Sequence, residues 1–396
     1  MATGEAISPT TTTPAALGWG KTLAWTVPMM LLTALLMAGG PNLPKDPSRL
    51  ISLLAAWLFA HYLFLRMVRT GKTDCYRAPY FIAIAVGFCL TFVPNLLEMR
   101  GNMALTDEDM LLGKTPFCHV VIPMMLIPAA LTRTIIFPGS ILGNFAGIAE
   151  MFALWIGFSL LLGRGWCSWG CFFGGLDEFF SRLTKRPVIR HIARRWTYLP
   201  YAVLAVVVVT AAWALDPTYC MWLCPFKTVT EYPQVDSITR AVQAVIFLSL
   251  FTALVIVLPV LTKRRTQCGL FCPFGAFQSA TSWLNAVTVR VSHDACKDCG
   301  KCERGCPQFA LHSGALTRSR PDLSCSKCGK CVDECPTGAI HFHVRGSSAD
   351  ANAGVARMLF IFPSFLFMAV FGAGMIQGGL YRLCCWSRPE ACSSER

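Results

Sequence analysis

The sequence predicts an all-α polytopic membrane protein with about seven transmembrane helices and a small α+β domain near its C-terminal end. Three observations lead to this prediction. Of the 396 residues, 54% are hydrophobic and only 14% are charged, which is too apolar for a water-soluble protein of this length. The apolar residues gather in stretches long enough to cross a bilayer. The 20 cysteines are concentrated in one doubled motif and three shorter pairs.

The doubled motif occupies residues 296–336. Each half has the spacing C-x2-C-x2-C-x3-C and is followed by a proline, Pro307 or Pro336. Bacterial two-cluster ferredoxins, which this stretch resembles, hold [4Fe–4S] clusters with this spacing, and the fourth cysteine of each half reaches the other cluster. The predicted iron ligands are Cys296, Cys299, Cys302 and Cys335 for one cluster, and Cys325, Cys328, Cys331 and Cys306 for the other. Paired zinc sites are the alternative, but structural zinc takes a single set of four ligands.

Seven apolar stretches have a length suited to a membrane span: 22–39, 50–68, 79–95, 141–162, 198–215, 241–262 and 358–380. The stretch 118–131 is shorter and is broken by prolines, so we expect it to be re-entrant or interfacial. Four regions follow: a disordered tail over 1–20, a six-span membrane domain over 21–285, a two-cluster ferredoxin-like domain over 290–346, and a seventh span with a short tail over 358–396.

The basic residues predict how these regions are oriented. Lys and Arg gather at 66–77, 164–195 and 263–265, next to apolar stretches, which indicates membrane orientation rather than nucleic-acid binding. Cytoplasmic loops carry the excess of Lys and Arg, and cluster thiolates need a reducing compartment. We therefore expect a bacterial inner-membrane protein with its N-terminus and ferredoxin-like domain in the cytoplasm and its C-terminus in the periplasm.

Three C-x3-C pairs lie at the ends of predicted spans and are candidate extra redox or metal sites: Cys167/Cys171, Cys220/Cys224 and Cys268/Cys272. On a helix, residues at i and i+4 have Cβ atoms about 5–6 Å apart, which suits a shared metal or cluster better than a disulfide. Proline follows the second and third pairs and disfavours helix there, so a disulfide on a turn stays open. A third interpretation is that the three pairs are inert buried thiols. The loop charges place the middle pair at the outer face and the other two at the cytoplasmic face.

The sequences around these pairs resemble polyferredoxin membrane proteins of the NapH/NosR type. The resemblance rests on Gly165-Trp-Cys-Ser-Trp-Gly-Cys171, Cys220-Met-Trp-Leu-Cys-Pro225 and Cys268-Gly-Leu-Phe-Cys-Pro-Phe-Gly-Ala276, followed by the doubled motif, and it covers about 141–345. It implies electron transfer, often from quinol, to periplasmic respiratory reductases of anaerobic respiration or to their maturation. The third pair, the missing proline after Cys171 and the seventh span depart from the pattern.

A few other residues are weighed and given minor roles. His61 lies within a predicted span, where a polar side chain suggests a function. A bis-His haem needs a second membrane histidine, and only His119, beside Cys118, lies near the outer edge of the membrane. We therefore expect His61 to be structural. Asp177 and Glu178 are interpreted as a solvated helix face. Three cysteines near the C-terminus are predicted to lie outside, where a disulfide can form: Cys384, Cys385 and Cys392.

The predicted function is electron transfer between quinol, or a cytoplasmic donor, and a partner redox protein. The chain is expected to be a subunit of an oxidoreductase system rather than a stand-alone enzyme, and no catalytic residue is assigned. Two alternatives stay open. One is copper reduction, metal handling or assembly of a periplasmic metalloenzyme, with the cysteine pairs as soft ligands. The other is redox sensing.

Overall fold

The structure, a computed structural model, describes residues 17–38, 47–98, 122–124, 126–127, 148–230, 235, 237–347 and 353–387. The helices, in chain order, are α1 Trp19–Ala38, α2 Pro47–Thr70, α3 Asp74–Glu98, α4 Ile148–Leu162, α5 Trp166–Trp169, α6 Phe172–Arg182, α7 Leu199–Ala214, α8 Lys227–Thr230, α9 Ile238–Leu250, α10 Leu258–Thr262, α11 Thr266–Leu270, α12 Pro273–Thr281, α13 Lys301–Gly305, α14 Ser313–Thr317, α15 Lys330–Glu334 and α16 Ala353–Ser387. The strands are β1 Val287–Val291 and β2 Ile340–Val344.

Five helical stretches of the described chain are long and apolar enough to cross a membrane: Trp19–Met37, Pro47–Thr70, Arg194–Ala214, Ile238–Thr262 and Ala353–Trp386. The stretch Ile238–Thr262 consists of α9 and α10, which are joined by a π-helical segment at Phe251–Val257. Helices suit this setting because they satisfy every backbone hydrogen bond within one segment. The chain is therefore mostly helical with several membrane helices, as predicted.

The count of seven spans stays a prediction. The stretch 79–95 lies within the 25-residue helix α3, and α4 accounts for the described part of 141–162. Of 118–131, only 122–124 and 126–127 are described, and they are helical. Of residues 1–20, which were predicted to be a disordered tail, the structure describes only 17–20, and α1 already begins there at Trp19.

Helix α16 packs into the middle of the helix bundle, against α2 and α3. The Phe365 ring lies 4.8 Å from the Phe64 ring and 5.7 Å from the Tyr80 ring, between centroids. At Gly87 on α3, an added Cβ would lie 2.4 Å from the Met375 carbonyl oxygen. Glycine at this position lets the two backbones approach closely, as is common where membrane helices pack.

A two-stranded antiparallel sheet closes the Cys-rich region. Strand β1 pairs with β2 so that Val287 lies opposite Val344 and Val291 lies opposite Ile340. Because the strands lie on either side of the doubled motif, they tie its two ends together. Phe342 of β2 stacks on Phe360 of α16 with centroids 5.4 Å apart, which fixes the sheet to the start of the last helix.

Two segments fold back into the bundle from opposite ends of neighbouring spans. After α7 the chain reverses, and the Thr218 hydroxyl pairs at 2.8 Å with the hydroxyl of Thr210, in the C-terminal part of that helix. After α10 it reverses again, and the Thr266 hydroxyl donates to the Leu254 carbonyl at 2.6 Å. The two re-entrant segments meet, because the Gln267 side chain donates to the Tyr219 hydroxyl at 3.4 Å.

The interpretation of Asp177 and Glu178 as a solvated helix face is wrong. Their exposed fractions are 0% and 1%, because α6 turns this face inward. Carboxylate oxygens of Glu178 lie 3.2 Å from Arg77, 2.5 Å from Arg182 and 3.4 Å from Arg265. Burial by itself raises the pKa of Glu178, but the three guanidinium groups outweigh it and hold the pKa well below its usual range. The sequence showed the charges but not the partners that allow their burial.

We expect Glu178→Gln to lower the free energy of unfolding by about 3–5 kcal/mol, because it removes the carboxylate at ion-pair distance from the buried Arg265 and leaves Arg77 and Arg182 to share Asp74. The folded-state pKa of Glu178 is depressed, so its contribution is complete above the ordinary glutamate pKa of about 4.3 and is lost as the pH falls below it. Thermal unfolding in detergent at neutral pH measures the change. Asp216→Asn, at an exposed acid, is the matched control; an equal loss of stability in both variants would contradict the role of Glu178.

Candidate functional site

The eight cysteines of the doubled motif line two cavities, four in each. The first cavity is lined by Cys296, Cys299, Cys302 and Cys335. The second is lined by Cys306, Cys325, Cys328 and Cys331. These are the two crossed sets that the ferredoxin spacing predicts, with each fourth cysteine placed in the other half's cavity. The donor set of four thiols suits an iron–sulfur cluster, and cluster binding at these residues stays a prediction.

The backbone around the two cavities follows the internal repeat. Asp298 and Lys327, at equivalent positions, both adopt left-handed conformations, with φ of 46° and 51°. Gly300 and Gly329 follow them, with φ of 65° and 85°, and begin α13 and α15. Left-handed residues at these positions curl the chain around the cavity. In the second cavity the Ala310 N–H donates to the Cys306 sulfur at 3.3 Å, a bond of the kind that tunes cluster potentials.

The spacing of these thiols opposes the zinc alternative. Among the described residues, no group of three or more His, Cys, Asp or Glu side chains is close enough to hold a single metal ion. Thiolates around one tetrahedral zinc lie about 3.8 Å apart, as Zn–S bonds of about 2.3 Å require. A four-iron cluster spreads its ligands over a larger body, so wider four-thiol cavities fit the cluster better than the ion.

The second cavity is the more deeply buried of the two. Cys299 of the first cavity is exposed, whereas Cys328 of the second is buried. Burial raises the pKa of Cys328 to about 12 and lowers that of the neighbouring Lys327 ammonium to about 7. The Lys327 ammonium donates to the Asn285 side chain at 2.5 Å and to the Leu162 carbonyl at 3.1 Å. Negative charge at Cys325, in the same cavity, acts in the opposite direction and raises the pKa of Lys327, so anionic contents would favour its charged form.

The second cavity lies directly against the first C-x3-C pair. The hydroxyl of Ser326, between two predicted cluster ligands, pairs with the hydroxyl of Ser168 at 2.7 Å. The Trp169 indole N–H donates to the Lys327 carbonyl at 3.2 Å. Ser168 and Trp169 both lie between Cys167 and Cys171. The ferredoxin-type region is therefore docked onto the membrane helices through its second cavity.

All three C-x3-C pairs share the backbone of the ferredoxin half-motif. The first cysteine lies in a single helical turn, and the second is extended, with φ/ψ of −79°/106° at Cys171, −77°/108° at Cys224 and −66°/117° at Cys272. Cys306 and Cys335 have nearly the same values, −66°/114° and −71°/116°. Proline explains extended backbone at four of these positions, but Cys171 adopts it before phenylalanine.

The placement of Cys220 and Cys224 at the outer face stays a prediction, but this pair does not lie apart from the third pair. Tyr219 lies within electrostatic range of Cys220 and Cys224, and also of Cys272 in the third pair. The reason is the reversal after α7, which carries this pair back into the bundle. Loop charge indicates which end of a span a loop leaves from, but it does not show how far the loop re-enters.

Aromatic side chains two residues after each pair pack the three segments together. The Phe173 and Phe226 rings stack with centroids 4.0 Å apart, and Phe274 lies 6.3 Å from the Trp166 ring. The sequence reasoning missed two further residues, Arg164 and Arg265, which precede the first and third pairs by three positions and are 1% and 0% exposed. The signal that could have found them is the shared spacing R-x2-C-x3-C.

His61 is a structural histidine, as expected. One ring nitrogen lies 2.9 Å from the Thr33 hydroxyl and the other 2.6 Å from the Trp57 carbonyl, so both have partners within the chain. Cys385 is disulfide-bonded, in line with the disulfide predicted near the C-terminus. Cys118, His119 and Cys392 lie outside the described residues.

Comparison with known families bears on the cysteine pairs directly. One family model, described as a 4Fe-4S binding domain, matches three separate segments, residues 145–191, 196–235 and 244–288. Each segment contains one C-x3-C pair. A second model with the same description matches residues 323–341 in the doubled motif. The chain carries 4Fe-4S binding domains.

Two relatives match less than half of the chain. YccM of Escherichia coli K12, named as a proposed electron transport protein, is 28% identical over 156 residues, which are 38% of this chain and 43% of the relative. An uncharacterised protein of Methanocaldococcus jannaschii is 28% identical over 157 residues, 38% of this chain and 60% of the relative. The chain thus spans about half the length of these relatives. No solved structure matches. The NapH/NosR type stays a prediction.

We expect Asp333→Ala to loosen the docking of the ferredoxin-type region. The Asp333 carboxylate accepts hydrogen bonds from the backbone N–H groups of Thr73 at 2.8 Å and Cys75 at 3.1 Å. Their loss costs about 1–3 kcal/mol, so amide hydrogen exchange at 73–75 should accelerate about tenfold or more. Glu334→Ala, at the exposed neighbouring acid, is the control. Unchanged exchange in the Asp333 variant would show that these bonds do not hold the two parts together.

Proposed function

We propose that this protein is a membrane-bound iron–sulfur electron-transfer protein with two [4Fe–4S] clusters in residues 287–344. It passes electrons between quinol, or a cytoplasmic donor, and a respiratory reductase or the maturation system of one. The observation that carries the proposal is the pair of four-cysteine cavities, of which one is exposed and the other is docked on a C-x3-C segment. The 4Fe-4S family matches and the name of the E. coli relative support it.

The chain's own residues define a route. When bound, the clusters would supply one-electron chemistry, and the protein supplies their positions and surroundings. Cys299 is exposed, so the first cavity is open to a soluble partner. Cys302 and Cys306, on the two ends of α13, belong to different cavities, so one helical turn links the two sites. From the second cavity, Ser326 leads to Ser168 in the membrane domain.

The proposed setting is the bacterial inner membrane, with the ferredoxin-type region on the cytoplasmic side. Its support is the excess of Lys and Arg in the segments that precede this region. A quinone and a partner redox protein are the proposed partners. Copper handling, the alternative that the sequence left open, calls for thiols grouped around one ion. No described group is arranged in that way, so no observation favours it.

We expect the doubled motif to account for about eight iron atoms per chain. Cys306→Ser should damage the cluster built on Cys325, Cys328 and Cys331, while Cys335→Ser should damage the other one, because each residue lines the cavity of the opposite half. Anaerobic iron analysis and paramagnetic resonance of the reduced variants measure this. Zinc in place of iron, or damage confined to the variant's own half, would contradict the assignment.

Electron transfer itself is tested in anaerobic membrane vesicles. We expect a quinol or a reduced cytoplasmic carrier to bleach the cluster absorption of the native protein, and oxidant added to the other side to restore it. A variant with Cys299→Ser should lose this response, whereas Cys75→Ser, at an exposed cysteine outside the cavities, should keep it. Clusters that are present but never reduced by either class of donor would rule out the proposed function.

A further inference from the structure

Two segments that are distant in sequence share one pattern and pack together in the interior. Residues 164–174 and 265–275 share the spacing R-x2-C-x3-C-x-F-G. Each begins with a buried arginine, and each ends with a glycine that faces the first cysteine's carbonyl. An added Cβ at Gly174 would lie 2.5 Å from the Cys167 carbonyl oxygen, and one at Gly275 would lie 3.1 Å from that of Cys268. The middle C-x3-C segment lacks both the arginine and the glycine.

The two arginines hold the segments together by crossed hydrogen bonds. The Arg164 guanidinium donates to the Cys268 carbonyl at 3.2 Å, and the Arg265 guanidinium donates to the Cys167 carbonyl at 3.0 Å. Each arginine thus bonds to the first cysteine of the other segment. The crossing places two guanidinium groups beside four thiols.

The thiols cross between the segments in the same sense as in the ferredoxin-type region. Cys167 and Cys272 lie within electrostatic range of each other, as do Cys171 and Cys268. In each of these two pairings, the first cysteine of one C-x3-C pair lies near the second cysteine of the other. All four side chains are buried or partly buried, so the group is withdrawn from water.

The ferredoxin-type cavities provide the internal reference for this pattern. There, Cys302 lies within electrostatic range of Cys335, and Cys331 lies within electrostatic range of Cys306. In both cases the first cysteine of one C-x3-C pair lies near the second cysteine of the other pair. The sulfur atoms also accept similar bonds: the Gly174 N–H donates to Cys171 at 3.4 Å, as that of Ala310 donates to Cys306. The membrane segments thus repeat the cluster-binding half-motif in conformation and in crossing.

Arg164 points to an anion at this place. It is 1% exposed, its hydrogen-bond acceptors are the neutral Ser279 hydroxyl and the Cys268 carbonyl, and no carboxylate lies within ion-pair distance of it among the described residues. A buried guanidinium without a counter-charge is costly. The groups that can supply a negative charge to it are cysteine sulfurs, since Cys167 and Cys272, and also Cys325 of the second ferredoxin-type cavity, lie within its electrostatic range.

We propose that Cys167, Cys171, Cys268 and Cys272 bind a third [4Fe–4S] cluster, with Arg164 and Arg265 as its positively charged neighbours. A cluster bound by four thiolates is an anion, which supplies the charge that Arg164 lacks. The described side chains offer no single-ion site here, as they offer none at the ferredoxin-type cavities. The proposal concerns the contents of the site and stands whatever the direction of electron flow.

The first test is the iron and sulfide content of the full-length protein purified anaerobically. Three clusters give about twelve iron and twelve sulfide per chain, whereas the doubled motif alone gives about eight. We expect the double variant Cys167→Ser/Cys272→Ser to lose about four of each and to keep the ferredoxin-type resonance signals. Cys75→Ser, at an exposed cysteine, should lose none. About eight iron in the unaltered protein overturns the proposal even if the double variant does not fold.

Two further variants test the ligand set and the charge. The variant Cys220→Ser/Cys224→Ser should retain the full iron content. A loss of about four iron atoms in this variant would overturn the proposed ligand set, because it would show that the middle pair binds the cluster. Arg164→Met should lose the third cluster, and Arg164→Lys, which keeps the charge, should retain it. Full iron in the Arg164→Met variant would overturn the role of that guanidinium. Zinc or copper bound at Cys167, Cys171, Cys268 and Cys272 in place of iron and sulfide would overturn the proposal.

Discussion

The buried guanidinium of Arg265 joins the three parts of this protein. It donates to the Cys167 carbonyl at 3.0 Å and to the hydroxyls of Ser168 at 2.6 Å and Ser326 at 2.8 Å, and it lies 3.4 Å from Glu178. These partners belong to the first C-x3-C segment, the ferredoxin-type region and α6. Removing the guanidinium from water is offset only when all of them are in place, so the charge selects one relative arrangement of the parts.

The sequence was most informative where a few neighbouring residues build a site together. The spacing of the doubled motif predicted both four-cysteine sets, including the exchange of Cys306 and Cys335 between halves, and the two cavities contain those sets. Local chain geometry explains why the cysteines group in this way, because the left-handed residues at 298 and 327 and the extended fourth cysteines follow from the motif itself. The described parts of the apolar stretches lie mostly in helices, since a span needs only length and composition.

Features that depend on distant partners could not be predicted in this way. Asp177 and Glu178 look like surface residues until α6 is packed, when arginines from α3 and from the loop after α10 surround Glu178. The approach of Tyr219, beside Cys220, to Cys272 of the third pair could not be predicted, because loop charge does not record the reversal after α7. Arg164 was one basic residue among many until its hydrogen bond to Cys268, across the bundle, was seen.

The central position of α16 has a consequence for how the protein is made. This helix is the last described element, yet its Phe365 packs between Phe64 of α2 and Tyr80 of α3. Chains are synthesised from the N-terminus, so α2 and α3 are made long before their central neighbour exists. The ribosome must translate the whole Cys-rich region before α16 can close the bundle. Closure of the membrane domain around Phe365 therefore waits for synthesis of the whole Cys-rich region.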